Sequence, residues 1–516
     1  MAMGWAIIFS RRMTKGCFRR VAVLSSLSDA LVPQLSRGSA GAGYHSAEVV
    51  RSICAQSAWQ LQRRGGEDVR RGFVDLRDWA SAQQRWYARS NNEKAKPDPD
   101  TIATEMIKYA ASCRSVETYH AEAVRVLEQG RLYLLSEGSS AATAHGRVLL
   151  TLATFYVDRA KFTDAVDALQ GASDLEPAGL GVRVAALEAL AGLCLRLHQE
   201  EPALKFAHSS GLLVTAAGDA VPTDELKELQ FRSKAVAALA ALVCARCGAV
   251  DTRLFEDVPT WLGENSRRTA GVAAAMFSLA QCAHVGGYFK IAGELYGRTI
   301  AIIRNSKDAA SEGTLASVAM APDEVHVGAL AGLGQLASHI GIFSHVFRKF
   351  DEAEGKITEA LTLAEKINGD KHPRVGVILA CLADVYARRE RGTGDNIIPE
   401  GLYRRCLEYL GSPSIDVPDT GKQVDFVDIM ALSRARYAEI ISKSLNRGEE
   451  ADKLQKWASK MWKGPRPLMD LMKVDSAQTT LKEKSKGSAT NSTIGKVEGH
   501  VVIDVRLGRV IWKVSS

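Results

Sequence analysis

Between Gly146 and Pro177 apolar residues recur with helical spacing twice, on either side of a polar break. Leu149, Leu152, Ala153 and Tyr156 fall at i, i+3, i+4 and i+7, one stripe of an amphipathic helix. After Asp158 and Arg159, Phe162, Ala165, Leu169 and Ala172 form a second stripe. Proline lacks the N–H a helix needs, so Pro177 is expected to end the second helix. Small residues at 153 and 165 let two antiparallel helices approach closely, and larger neighbours fill the space around them. The pattern predicts a helix–turn–helix pair.

The pattern returns, less sharply, along most of the chain. Upstream it uses Ile107, Ala110, Ala111, Ala123, Leu127 and Gly130. Downstream come Leu187, Leu190, Ala191 and Cys194, then Ala203 and Ala207. Leu239 and Ala240 open a degraded unit whose second helix is interrupted near Pro259, and Met276, Leu279, Ala280, Phe289, Ala292 and Tyr296 make a clear one. Ile340, Gly341, Phe350, Ala353, Ile357 and Ala360 are followed, 42 residues on, by Leu382, Ala383 and Tyr386, with Tyr403 and Cys406 beyond. A last weak unit spans Asp428 to Lys463, with Trp457 and Trp462 placed to cap the open end. Asn305 to Pro322 is polar and Gly/Ser-rich, an insertion. The tail breaks the pattern: VVIDVRLGRVIWKV, residues 501 to 514, predicts a β-hairpin turning at Leu507–Gly508.

Placed in a frame of about 34 residues, Gly146–Pro177 resembles the tetratricopeptide repeat. Nearly every family position is met, apart from the usual aromatic at Leu149. The stretch GDKHPRVGVILACLADVYARRE with LYRRCLEYL is similar to the longer repeats of kinesin light chains, His372–Pro373 preceding its first helix. The resemblance implies an all-α fold, a tetratricopeptide-like α-solenoid superhelix of six or seven units; the short C-terminal β-hairpin is expected from the strand pattern of residues 501 to 514 alone. It also implies a concave groove lined by first helices. Family groove positions fall on Arg147, Leu150, Thr154, Val157 and Asp158, then on Ala185, Glu188, Gly192, Leu195 and Arg196. Further along they fall on Gln335, Ser338, Ile342 and His345, and on Val377, Ala380, Asp384, Ala387 and Arg388. Of these, Arg147, Thr154, Asp158, Glu188, Arg196, Gln335, His345, Asp384 and Arg388 are the candidate partner-binding residues. Glu188 and Gly192 stand where a carboxylate clamp would need Lys and Asn, which disfavours a chaperone-tail receptor.

Composition agrees with an ordered, alanine-rich helical chain: 46% hydrophobic, 24% charged and 7% aromatic over 516 residues. No apolar run is long enough for a membrane-spanning helix. The formal charge of +7 is concentrated at the start: residues 1–90 hold 14 Lys+Arg against 6 Asp+Glu, leaving 52 against 53 in the body. A near-neutral body argues against an extended phosphate-binding surface, so nucleic acid is not the expected partner. Residues 1–45 are basic, serine-rich and nearly free of acids, the signature of an organelle presequence; a mitochondrion is expected, a chloroplast second. Nine scattered cysteines suit a reducing compartment.

No catalytic constellation emerges. Cys244-Ala-Arg-Cys247 is a lone CxxC without the second pair that zinc requires. The eleven histidines form no HExxH, and no phosphate loop or nucleophile elbow is present. No cofactor, metal or enzymatic activity is expected. The expected organisation is a targeting segment (1–45), a basic linker (46–100), the helical array (101–464), a flexible linker (465–500) and the hairpin tail (501–516). The expected role is a non-catalytic interaction scaffold or assembly-type adaptor in mitochondria, taking a peptide or helix of a protein partner in its groove. The alternative, an organelle RNA-associated helical-repeat factor, fits less well: successive units are spaced irregularly, by 38 to 61 residues, and the body is not basic.

Overall fold

The computed structural model describes residues 98–114, 117–218, 222–244, 253–256, 269–305, 322–344, 347–389, 396–415, 425–443, 446–464, 467–472 and 500–512. The expected targeting segment, the 306–321 insertion, most of the 465–500 linker, Cys247 and His345 lie outside these residues. The helices are α1 (Pro99–Cys113), α2 (Glu117–Ser136), α3 (Ala142–Asp158), α4 (Phe162–Ser173), α5 (Leu180–Arg196), α6 (Glu200–Ala217), α7 (Thr223–Val243) and a single turn, α8 (Arg253–Glu256). They continue with α9 (Ala270–Val285), α10 (Phe289–Asn305), α11 (Pro322–Ser344), α12 (Phe347–Asn368), α13 (Pro373–Arg389), α14 (Ile397–Tyr409), α15 (Val427–Ile441) and α16 (Gly448–Met461). Two strands, β1 (Val501–Asp504) and β2 (Arg509–Trp512), pair antiparallel.

Local chemistry sets several boundaries. Asp98 caps α1 by accepting the Thr101 N–H at 3.3 Å, with Pro99 at the first turn where no N–H is needed. Thr269 caps α9 in the same way through Val272. His372 Nδ1 accepts the Arg374 N–H at 3.2 Å, so the His-Pro pair before α13 acts as a helix start. The second helix of the sharpest repeat ends at Ser173, short of Pro177; Asp174 closes it through an N–H bond to the Gln170 carbonyl.

Apart from the single turn α8, each helix packs on the next, α7 passing directly to α9, and the first helices of successive pairs (α1, α3, α5, α7, α9, α11, α13, α15) also pack on one another in a row. The protein is therefore an all-α helical-repeat solenoid. Second helices bury one stripe: Ala203, Ala207, Ser210 and Val214 in α6, Ala451, Leu454 and Ala458 in α16. First helices are different. Every residue of α9 is buried, and so is most of α5 and α15. A helix buried all round needs cover on its inner side, and the hairpin supplies it, packing on α7, α9, α11 and α15.

The small-residue contact that defines the repeat is present. Ala153 and Ala165 are both buried, in one apolar cluster with Leu149, Leu150 and Leu169. The aromatics expected to cap the last unit are used otherwise. Trp462 lies against Trp512 of the hairpin, ring centroids 5.7 Å apart, and Arg434 stacks on Trp457 at 3.7 Å.

Candidate functional site

The inner row forms a cleft, and the C-terminal hairpin fills it. Val501, Val502, Ile503, Asp504 and every residue from Val505 to Trp512 are buried. The turn is longer than the Leu507–Gly508 pair expected: it covers four residues, 505–508. Asp504 Oδ1 accepts the N–H groups of Arg506 (2.8 Å) and Leu507 (3.0 Å), an Asx-type arrangement, and the Gly508 N–H donates to the Asp504 carbonyl at 2.8 Å. Gly508 has φ +65°, and a Cβ there would lie 2.1 Å from Phe426 Cδ1, so only glycine fits.

Cleft side chains hold the hairpin through its main chain and through its arginines. Gln335 Nε2 donates to the Ile503 carbonyl at 2.9 Å, and the Ile503 N–H donates to Gln335 Oε1 at 2.8 Å. On the other strand, Arg509 Nε donates to Asp428 Oδ2 at 2.8 Å and Arg509 Nη1 to the Leu195 carbonyl at 2.5 Å. Arg509 and Asp428 are both essentially inaccessible, at 1% and 0%. Burial pushes the Asp428 carboxyl above the usual carboxylate range, while the Arg509 charge and hydrogen bond and the Val510 N–H act to keep it ionised. His198 Nε2 stands 3.7 Å from Asp428, but burial lowers its pKa to about 3, so it brings no positive charge at neutral pH. Arg506 stacks on Phe277 at 4.8 Å and reaches Ser278 Oγ at 3.3 Å. Between α5, α7, α9 and the turn a cavity of about 20 Å³ remains, room for about one water.

Apart from His345, which is outside the described residues, the candidate residues from the sequence lie on inner helices, and most are engaged within the protein. Gln335 bonds the hairpin directly. Glu188 is buried and pairs with Arg232 at 2.7 Å beside Arg506; burial raises its carboxyl against the pull of Arg232. Arg196 pairs with Asp425 and stacks on Phe426 at 4.6 Å, the ring that abuts Gly508. Thr154 is buried and bonds the Leu150 carbonyl, and Arg147 reaches back to Thr104 at 3.0 Å. Asp384 pairs with Arg436 and accepts from Tyr403 at 2.5 Å, and half-buried Arg388 lines a small pocket beside it.

Asp158 belongs to a chain of largely buried ion pairs that joins distant units. Arg114 binds it with two nitrogens (2.8 and 3.1 Å) and also reaches Glu324 at 2.8 Å; Glu324 in turn meets Arg374 at 2.7 Å. Burial alone would raise the Asp158 carboxyl, but the Arg114 charge and bonds hold it below its usual range.

One cluster was not foreseen. His284 and His339 share a 2.8 Å hydrogen bond, His284 meets the Tyr296 hydroxyl at 3.4 Å, and His500 lies 5.2 Å from His339 and 4.7 Å from Phe289 by ring centroids. Burial holds His284 and His339 well below the usual histidine range. His500 and Arg388 add to this at His284; Arg388, His284, His500 and Arg436 add to it at His339. Among the described residues no group of three or more His, Cys, Asp or Glu is arranged to hold a metal, and no helix is long and apolar enough to cross a membrane. No protein-family model matches the chain, and no curated protein is significantly similar to it.

Proposed function

We propose that this protein is a non-catalytic, tetratricopeptide-type interaction scaffold of the mitochondrion, which holds an extended segment of a protein partner against its inner row of helices. One observation carries the reading: Gln335, on an inner helix, bonds both main-chain groups of Ile503 in a buried extended segment. A side-chain amide used this way imitates a neighbouring strand, a mode of peptide recognition that depends little on the bound sequence. The interior is charge-balanced, Arg114 and Arg374 facing Asp158 and Glu324, which suits a polypeptide better than a phosphate backbone. The basic, acid-poor start of the chain supports the mitochondrial assignment.

Affinity capture with the full chain from isolated mitochondria tests the reading. A stoichiometric protein partner retained at moderate salt is expected. Recovery of RNA alone, lost as salt rises, contradicts it. Fusion of residues 1–90 to a reporter tests the location separately, and a cytosolic reporter rejects it.

A further inference from the structure

We infer that the cleft is a receptor for a two-stranded β segment, and that the C-terminal hairpin is its resident, displaceable ligand. This rests on the scaffold reading and specifies what the partner looks like: an antiparallel strand pair with an arginine directly after the turn.

The main-chain bonding comes first. In an antiparallel pair, facing residues either exchange both main-chain bonds or direct both outward. Ile503 faces Val510 in the register and gives both of its groups to Gln335. Val510 therefore also directs its N–H outward, toward Asp428, whose charge that N–H helps to hold. The two outer edges of the hairpin thus meet polar side chains from opposite walls, Gln335 of α11 and Asp428 of α15. Strand edges are what a soluble protein must cover, and these walls cover them without contributing a strand of their own.

The charge at Asp428 is the second line. A buried carboxylate needs a cation, and His198 does not supply one. The cation comes from the segment in the cleft, through Arg509, which also donates to the Leu195 carbonyl near the end of α5, an oxygen that already accepts the His198 N–H at 3.2 Å. The array presents the acid and the helix end; the occupant brings the matching arginine. Arg506, three positions earlier and within the turn, adds a second anchor on Phe277 and Ser278. These features select for a turn that carries one arginine within it and one directly after it, and a second protein bearing them makes the same bonds.

The test uses the full chain, its Arg509→Met variant, and a labelled peptide of residues 500–512 as the probe. Weakening the resident ligand should admit the probe, so the variant is expected to bind it at least tenfold more tightly than the wild-type chain. A probe carrying Arg509→Met should lose that gain. Exclusion of the probe by both chains, with helix content unchanged, overturns the inference and makes the hairpin a permanent part of the core. If the variant does not fold, amide exchange in the wild-type chain decides. Ile503 and Val510 exchanging at least a hundredfold faster than Leu279 in α9 supports separate opening; equal rates overturn it. A locked hairpin in a chain that still captures a mitochondrial partner would refute this inference alone, whereas an exchangeable hairpin without any partner would refute the scaffold reading.

Discussion

Replacing Arg509 with Met isolates what holds the hairpin. The side chain keeps its unbranched stem about as far as Nε and loses the guanidinium, with its charge, its bond to Asp428 at 2.8 Å, its bond to the Leu195 carbonyl and its pairing with Glu200 at 3.8 Å. Asp428, at 0% exposure, is left as an unpaired buried carboxylate. Breaking a buried ion pair from one side costs about 3–5 kcal/mol, because the remaining charge has no water to return to. A cost of ~4 kcal/mol is close to a thousandfold in the opening equilibrium of the hairpin. Hydrogen exchange read by mass spectrometry over residues 501–512 measures it as faster exchange there, with α3 and α9 unchanged. The loss should shrink as pH falls. Without Arg509 the folded pKa of Asp428 lies above its unfolded value of about 3.9, so the variant is disfavoured least below that value and increasingly as pH rises. The double replacement Asp428→Leu with Arg509→Met removes both charges and should recover to within ~1–2 kcal/mol of wild type. A single variant that accelerates exchange less than about fivefold, or a double variant as damaging as the two singles added together, refutes the reasoning.

Three further outcomes follow from the packing and the titrating groups. Gly508→Ala meets both a left-handed backbone and the Phe426 ring at 2.1 Å, and should loosen the hairpin by about 2 kcal/mol, seen in the tryptophan fluorescence of the Trp462–Trp512 contact. Ala153→Leu and Ala165→Leu overpack the close contact between α3 and α4 and should each cost ~1–3 kcal/mol in chemical unfolding; no change in either would place the repeat frame elsewhere. His284 and His339 have folded pKa values well below 6.5, so the unfolded chain binds more protons as pH drops through that value. Stability is then full above about pH 6.5 and falls below it, by up to ~1.4 kcal/mol per pH unit for each histidine; melting curves at pH 7.5 and 5.5 should separate, and His284→Phe should narrow the gap.

The architecture was legible because second helices carry their instructions locally. Ala203, Ala207, Ser210 and Val214 repeat with the helical period, and that period alone gives the buried face of α6. The inner helices were legible as helices but not as a filled cleft. AGVAAAMFSLAQCAHV is apolar all round and does not say what covers each side. The hairpin held a clue in its own strands. Val501, Val502 and Ile503, like Val510, Ile511 and Trp512, are apolar without alternation, which is how a strand buried on both faces reads. What no local pattern supplies is the pairing. Gln335 and Ile503 are 168 residues apart, Arg509 and Leu195 314, and Arg114 and Glu324 210. Groove positions borrowed from the repeat family found Gln335, Glu188 and Asp158. Asp428 fell in a unit too weak to frame, and the histidine cluster joins residues of α9, α11 and the tail that share no motif.

On the proposed reading, partner and hairpin use the same cleft. Amide exchange over residues 501–512, measured on the full chain with and without a partner captured from mitochondria, tests it most directly. Exchange at Ile503 and Val510 should rise on partner binding while α9 stays protected. A bound partner with the hairpin still fully protected would place the binding surface elsewhere and contradict the account.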